Sequence, residues 1–235
     1  MCKLSKCKNC PIMLRSIFMK EWLKTRMAVV LVFVASLGLC AYLLIDAHHL
    51  IAINGVMPVW DTLLGRDTLL LELLEFVPLI AGILLGCTQM LPEMLQKRIK
   101  LTLHLPIENW KAIGIMVLYG VIIMLGLLVL NIGLCYAVLQ IWLPAEMLRH
   151  IFLTVLVWYV AGIQAYLFTV WIVLEPTWRM RIAEMLFAGV CLRMFYVSIM
   201  PETYNAFLPI LAVFTILFAG VPMLSIARFK EGKGL

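Results

Sequence analysis

Charge is what this sequence has least of. Only 14% of its 235 residues are Asp, Glu, Lys or Arg, while 64% are hydrophobic and the mean hydropathy is +1.04. Ordinary soluble domains carry roughly 25% charged residues, so a soluble one- or two-domain protein is excluded and the chain reads as an integral membrane protein. Chemical motifs are missing too. The sequence has no G-x-x-x-x-G-K-[ST] phosphate loop, no H-E-x-x-H, no G-x-S-x-G and no paired metal-binding acid motif. With about 20 residues set aside per span, little chain remains for a soluble catalytic domain. A cleaved signal peptide is not expected, because the first apolar run is too long and no small-residue cleavage site follows it.

What is present is a set of long apolar runs bordered by basic residues. Residues 27–45 are uncharged and long enough to cross a bilayer about 30 Å thick. The expected spans are 27–46, 69–91, 112–141, 150–174, 182–200 and 206–227. The uncharged stretch 112–145, roughly 50 Å as helix, overshoots the hydrocarbon and should emerge near Trp142 and Pro144. The fold expected is therefore an all-α membrane protein: residues 1–26 form a cytoplasmic tail and amphipathic connecting helix, 27–228 a domain of six transmembrane helices, and 229–235 a second tail. An even number of spans puts both termini on one side.

The formal net charge of +6 comes from 19 Lys and Arg against 13 Asp and Glu. On one face of the expected topology lie Lys3, Lys6, Lys8, Arg15, Lys20, Lys24, Arg26, Lys97, Arg98, Lys100, Lys111, Arg179, Arg181, Arg228, Lys230 and Lys233; Arg66 and Arg149 lie on the other, and Arg193 falls within a span. This asymmetry places both termini in the cytoplasm. Because the clusters flank apolar runs, they set orientation and meet anionic lipid, and nucleic-acid binding is not expected.

Cys40, Cys87, Cys135 and Cys191 fall within spans, where thiols behave as small apolar residues. Cys2, Cys7 and Cys10 lie on the reducing side and lack a fourth ligand for zinc. His48 and His49 are adjacent, so they point apart on a helix and make a poor shared metal site. No bound metal or cofactor is expected.

Two elements on the cytoplasmic side stand out. In residues 12–26, Leu14, Phe18 and Trp22 repeat at i, i+4, i+8, with Lys20, Glu21 and Lys24 on the opposite side, which fits a helix lying in the membrane interface or a basic flank that sets topology. In the loop from span two to span three, Pro92 suits a first helical turn and Glu93 a positive helix terminus, while Pro106 stops the helix. Leu95, Ile99 and Leu103 then repeat at i, i+4, i+8, with Lys97 and Lys100 on another face. Such a cationic amphipathic helix can dock into a partner's groove, and equally can rest on lipid headgroups.

With its amphipathic segment directly before span one, six spans, cytoplasmic termini and the run 91–106, the chain resembles the ABC-2 type permeases, the membrane subunits of type V ABC exporters. The resemblance covers residues 12–228 in topology, with the loop 92–105 as its sharp part. It implies that Pro92, Glu93, Leu95, Lys97, Arg98, Ile99 and Leu103 form a coupling helix that fits a cleft on a separate ABC ATPase subunit. It also implies pairing with a second permease, ATP and Mg on the partner ATPase, no catalysis by this chain, and a place in the bacterial inner membrane. One departure is visible: the outer re-entrant hairpin common between spans five and six in that family has little room here.

Charges within the spans are costly and call for named partners. Glu72 and Glu75 share a helical face, and Glu75 and Arg193 sit at matching depths of roughly 10 Å from the outer ends of spans two and five. A Glu75–Arg193 pair, or Glu72–Arg193 if the helix is rotated, is expected. The same cluster supports two alternatives to the permease: an intramembrane enzyme and an ion-coupled secondary transporter. Gly82 and Gly86 form a GxxxG in span two, and Gly114, Gly120, Gly126 and Gly133 punctuate span three; close helix packing follows, with the partner helix open.

Overall fold

A computed structural model describes residues 10–54, 74–95, 109–197, 204, 206–222 and 225, and all regular structure among the described residues is helical. The helices are α1 (Cys10–Asn54), α2 (Val77–Leu95), α3 (Asn109–Leu139), α4 (Ala145–Leu174), α5 (Trp178–Arg193) and α6 (Leu208–Phe218), with a 3₁₀ turn at Met194–Tyr196 after α5. Four of them, α1 to α4, contain stretches long and apolar enough to cross a membrane. The chain is a multi-pass membrane protein. Helices α5 and α6, with 16 and 11 residues, are shorter than a 30 Å hydrocarbon core requires at about 1.5 Å per residue.

Helix α1 is 45 residues long. No proline and a single glycine, Gly38, interrupt the chain between Pro11 and Asn54, so nothing ends the helix where span one was expected to begin. The amphipathic segment 12–26 and span one are one continuous helix. Its buried stripe also reverses the sequence reading. Glu21, Thr25, Val29, Ser36, Cys40, Leu43, Leu44 and Ala47 are buried at helical spacing, while Trp22, Leu23, Met27, Leu31 and Val34 are exposed. In lipid the outward face has to be apolar, so the small and polar residues are the ones that turn inward. Glu21 and Lys24, read as the solvent side, belong to the packed side, with Lys20 exposed at its edge.

Helix α4 is the centre of the bundle: 72% of its spanning window is buried, against 28% for α1. Its most extensive contact is with α2. The GxxxG of α2 makes this possible, since a methyl group on Gly82 would run into the Gly162 carbonyl oxygen, and one on Gly86 would come within 2.8 Å of Thr169 Cβ. From the other side, a methyl on Gly162 would lie 2.6 Å from the Pro78 carbonyl oxygen. The partner that the sequence left open is therefore span four of the same chain. In α3 the glycines are not equivalent: Gly120 receives the Tyr166 ring, whereas a methyl on Gly133 would meet no other element within 4 Å among the described residues.

Beyond Leu139, α3 gives way to a hydrogen-bonded turn, with Leu143 N–H donating to the Leu139 carbonyl at 2.9 Å, and Pro144 opens α4 in an extended conformation. On its far side α4 holds α5 and α6. Val157 and Ala161 pack with Phe195, Leu208 and Leu211. Phe168 meets the Phe218 ring at 5.1 Å, and Trp171 meets Phe187 at 6.0 Å. Pro176, which disfavours helix at the residue before it, leaves Glu175 extended at φ −70°, ψ 123° and separates α4 from α5.

Gln164 is fully buried on α4, and neither of its amide atoms has a hydrogen-bond partner among the described residues. A buried polar group without a partner costs about 1–3 kcal/mol. Gln164→Met, similar in length and without the amide, is expected to raise the thermal midpoint in detergent; a lowered midpoint would mean that the amide is bonded in the membrane.

Candidate functional site

The end of the bundle where α2 closes and α3 opens carries a buried charged cluster. Helical spacing puts Gly82, Leu85, Gly86, Gln89, Met90 and Glu93 on the inward face of α2. Glu93 is only 1% exposed, and its Oε1 accepts from Lys20 Nζ at 3.0 Å and Lys24 Nζ at 3.2 Å, both on α1. Lys24 Nζ also reaches Glu21 Oε2 at 2.8 Å, one turn back on its own helix. Two acids and two lysines cancel in charge. That neutrality, with the ion pairs at hydrogen-bond distance, is what makes their burial tolerable.

The cluster continues inward as hydroxyls and amides. Thr25 Oγ1 donates to the Glu21 carbonyl at 2.9 Å, so the Tyr119 hydroxyl, 2.7 Å away, is the donor in their contact. The Tyr119 ring stands edge-on to Phe18 at 5.5 Å. One turn before Glu93, Gln89 Nε2 donates to the Met116 carbonyl at 2.7 Å, and its Oε1 accepts from the Tyr166 hydroxyl at 2.7 Å. Four helices thus converge: α1 through Lys20, Glu21, Lys24 and Thr25, α2 through Gln89 and Glu93, α3 through Met116 and Tyr119, and α4 through Tyr166. The buried members of this network lie where each such bond is strong and its loss costly.

This arrangement revises the sequence reading of the loop root. Pro92 does not open a new helix but lies inside α2, which runs through it to Leu95. Proline removes one N–H, and the helix nonetheless continues past it through the last residue described there. Glu93 is accordingly not a helix-terminus acid; it holds α1 through two lysines. Leu95, at the last position of α2, is 78% exposed. Lys97, Arg98, Ile99 and Leu103 lie outside the described residues, as do Cys2 and Cys7.

A second polar group closes the connection between α4 and α5. Glu175 is fully buried; its Oε1 accepts from Thr177 Oγ1 at 2.9 Å and its Oε2 from Ser225 Oγ at 2.7 Å. Arg181 Nη2 donates to the Glu175 carbonyl at 2.7 Å while its guanidinium lies 5.5 Å from the centre of the Trp178 ring. Glu184, on α5, is buried at 3% exposure.

At the opposite end, Glu72 lies outside the described residues, and Arg193, the last residue of α5, is exposed. Tyr196, three residues beyond Arg193, also reaches this end of the bundle. Its hydroxyl donates to the Glu75 carbonyl at 3.3 Å, and its ring stacks on Phe76 at 5.6 Å between centroids. His48 packs against the Trp142 ring at 4.9 Å.

Sequence reasoning missed Thr25, Gln89, Tyr119, Gly162 and Tyr166. A usable signal existed for Gln89, which lies four residues before Glu93 and so on its helical face. For Tyr119, Gly162 and Tyr166 no pattern in the sequence points inward, because apolar residues surround them on every side. No protein-family model matches the chain, and comparisons with curated proteins and with solved structures find no match.

Proposed function

We propose that this chain is the permease subunit of an ATP-driven exporter of the ABC-2 type, a non-catalytic six-span bundle with cytoplasmic termini that pairs with a second permease in the bacterial inner membrane. ATP and Mg bind on separate ATPase subunits. The observation that carries this reading is the Lys20–Glu93–Lys24 clasp. It joins α1 to the last described turn of α2, directly before the basic sequence 96–108, and Leu95 is exposed beside it. A push on that loop from a bound ATPase is transmitted to α1 through the two lysines, and to α3 and α4 through Gln89, Met116 and Tyr166. Rigid connections between helices that move as units are what a coupling element needs.

The test is purification of the tagged chain in mild detergent, followed by identification of copurifying proteins and an ATPase assay. A stoichiometric ATPase is expected, lost from the Leu95→Asp/Ile99→Asp double variant while membrane insertion persists. Recovery of the chain alone, from membranes shown to keep other ABC complexes intact, would overturn the proposal.

A further inference from the structure

Near the opposite end of α1 from the clasp, two thiols meet. Cys40 of α1 and Cys135 of α3 are unbridged cysteines, 0% and 1% exposed, with their sulfur atoms 2.7 Å apart. The two thiols are in hydrogen-bond contact, a position from which a disulfide, with S–S about 2.05 Å, closes by a small displacement. Both residues occupy the inward stripes of their helices: Cys40 one turn after Ser36 and before Leu43 and Leu44, Cys135 between Asn131 and Leu139, all of them buried. One turn from Cys135, Asn131 Nδ2 donates to the Tyr159 hydroxyl at 2.7 Å, and the Asn131 backbone carbonyl lies 4.0 Å from Cys40 Sγ. That bond ties α3 to α4 beside the thiols, so the two sulfurs face each other across a packed junction of three helices. Small-residue packing alone does not require sulfur at both of these facing positions.

We propose that Cys40 and Cys135 form an oxidisable dithiol whose disulfide staples α1 to α3 within the membrane. The surroundings select the oxidant. Both cysteines belong to the main apolar core, so a charged oxidant is excluded by the cost of its desolvation, whereas a quinone dissolves in the surrounding hydrocarbon and reaches the pair when α1 moves away from α3. In the balanced step both S–H bonds break and one S–S bond forms. The two electrons and two protons pass to the quinone, which leaves as the hydroquinone. The consequence falls on α1, the helix that also carries Lys20 and Lys24: once stapled, it no longer shifts against α3. The proposal stands on the thiol geometry and does not depend on the permease reading.

The experiment uses the unmodified full chain in native membranes. Membranes are treated with duroquinone, whose four ring methyl groups block addition of thiols, then denatured in detergent with excess alkylating agent and digested for mass spectrometry. The expected result is joint loss of alkylation at Cys40 and Cys135 and a peptide pair linked through them, two hydrogens lighter than the free peptides. Dithiothreitol restores both, Cys87 and Cys191 stay alkylated throughout, and the chain migrates as a monomer without reductant. In Cys135→Ser, Cys40 regains full alkylation. Full alkylation of both cysteines in the quinone-treated unmodified chain, or linkage of either to a different cysteine, would overturn the proposal.

Discussion

Gly82→Ala is expected to lower the stability of the bundle by at least about 3 kcal/mol, at the upper end of what overpacking costs. The added methyl meets the backbone carbonyl oxygen of Gly162, and the Tyr166 backbone nitrogen lies 3.1 Å from it. Backbone on a central helix cannot rotate aside as a flexible side chain can, so relief comes only by moving α2 and α4 apart. That displacement would also pull Gln89 from Tyr166 and shift the end of α2 that carries Glu93. The internal control is Gly133→Ala, where the added methyl meets no other element within 4 Å among the described residues and replacing a helical glycine by alanine gains up to roughly 1 kcal/mol. Thermal unfolding of the two variants in one detergent checks the contrast. Equal midpoints would show that α2 and α4 are not packed through Gly82.

Loss of the buried carboxylate has an expected effect of similar size. Glu93→Gln keeps the shape of the side chain but removes the charge that two lysines share, and breaking one side of a buried ion pair costs about 3–5 kcal/mol. The cost arises because Lys24, whose side chain is only 13% exposed, keeps its charge with Glu21 as its one remaining acid in the cluster. Lys20, at 41% exposure, can turn outward and be hydrated, so Lys20→Met should cost no more than about 1 kcal/mol, as surface pairs do. A double-mutant cycle between Glu93 and Lys24 measures the pair directly. Additive effects in that cycle would remove the clasp from consideration as a coupling element.

Much of the bundle was legible beforehand. Lengths of uncharged chain locate α1 to α4, Pro144 and Pro176 mark where helices begin or end, and the Gly82–Gly86 spacing announces a close helix contact. Each of these is a local property, set by backbone chemistry or by the thickness of the hydrocarbon. The loop root was half legible: Glu93 was singled out, but as a helix-terminus acid. Its lysines were singled out as well, but as the polar side of a helix lying in the membrane interface.

By itself, then, the sequence determined that the chain is helical, that it crosses a membrane several times and that α2 must approach a neighbour closely. Only the tertiary structure decided which neighbour that is and which face of each helix points inward. The physical reason is the solvent. In water, burying apolar surface orients an amphipathic helix; in lipid, both the outside and the core are apolar, and the orienting force passes to small residues, hydrogen bonds and paired charges. Those interactions join residues far apart in sequence. Glu93 with Lys24, Gln89 with Tyr166, Gly82 with Gly162 and Cys40 with Cys135 therefore emerge only when the helices are brought together.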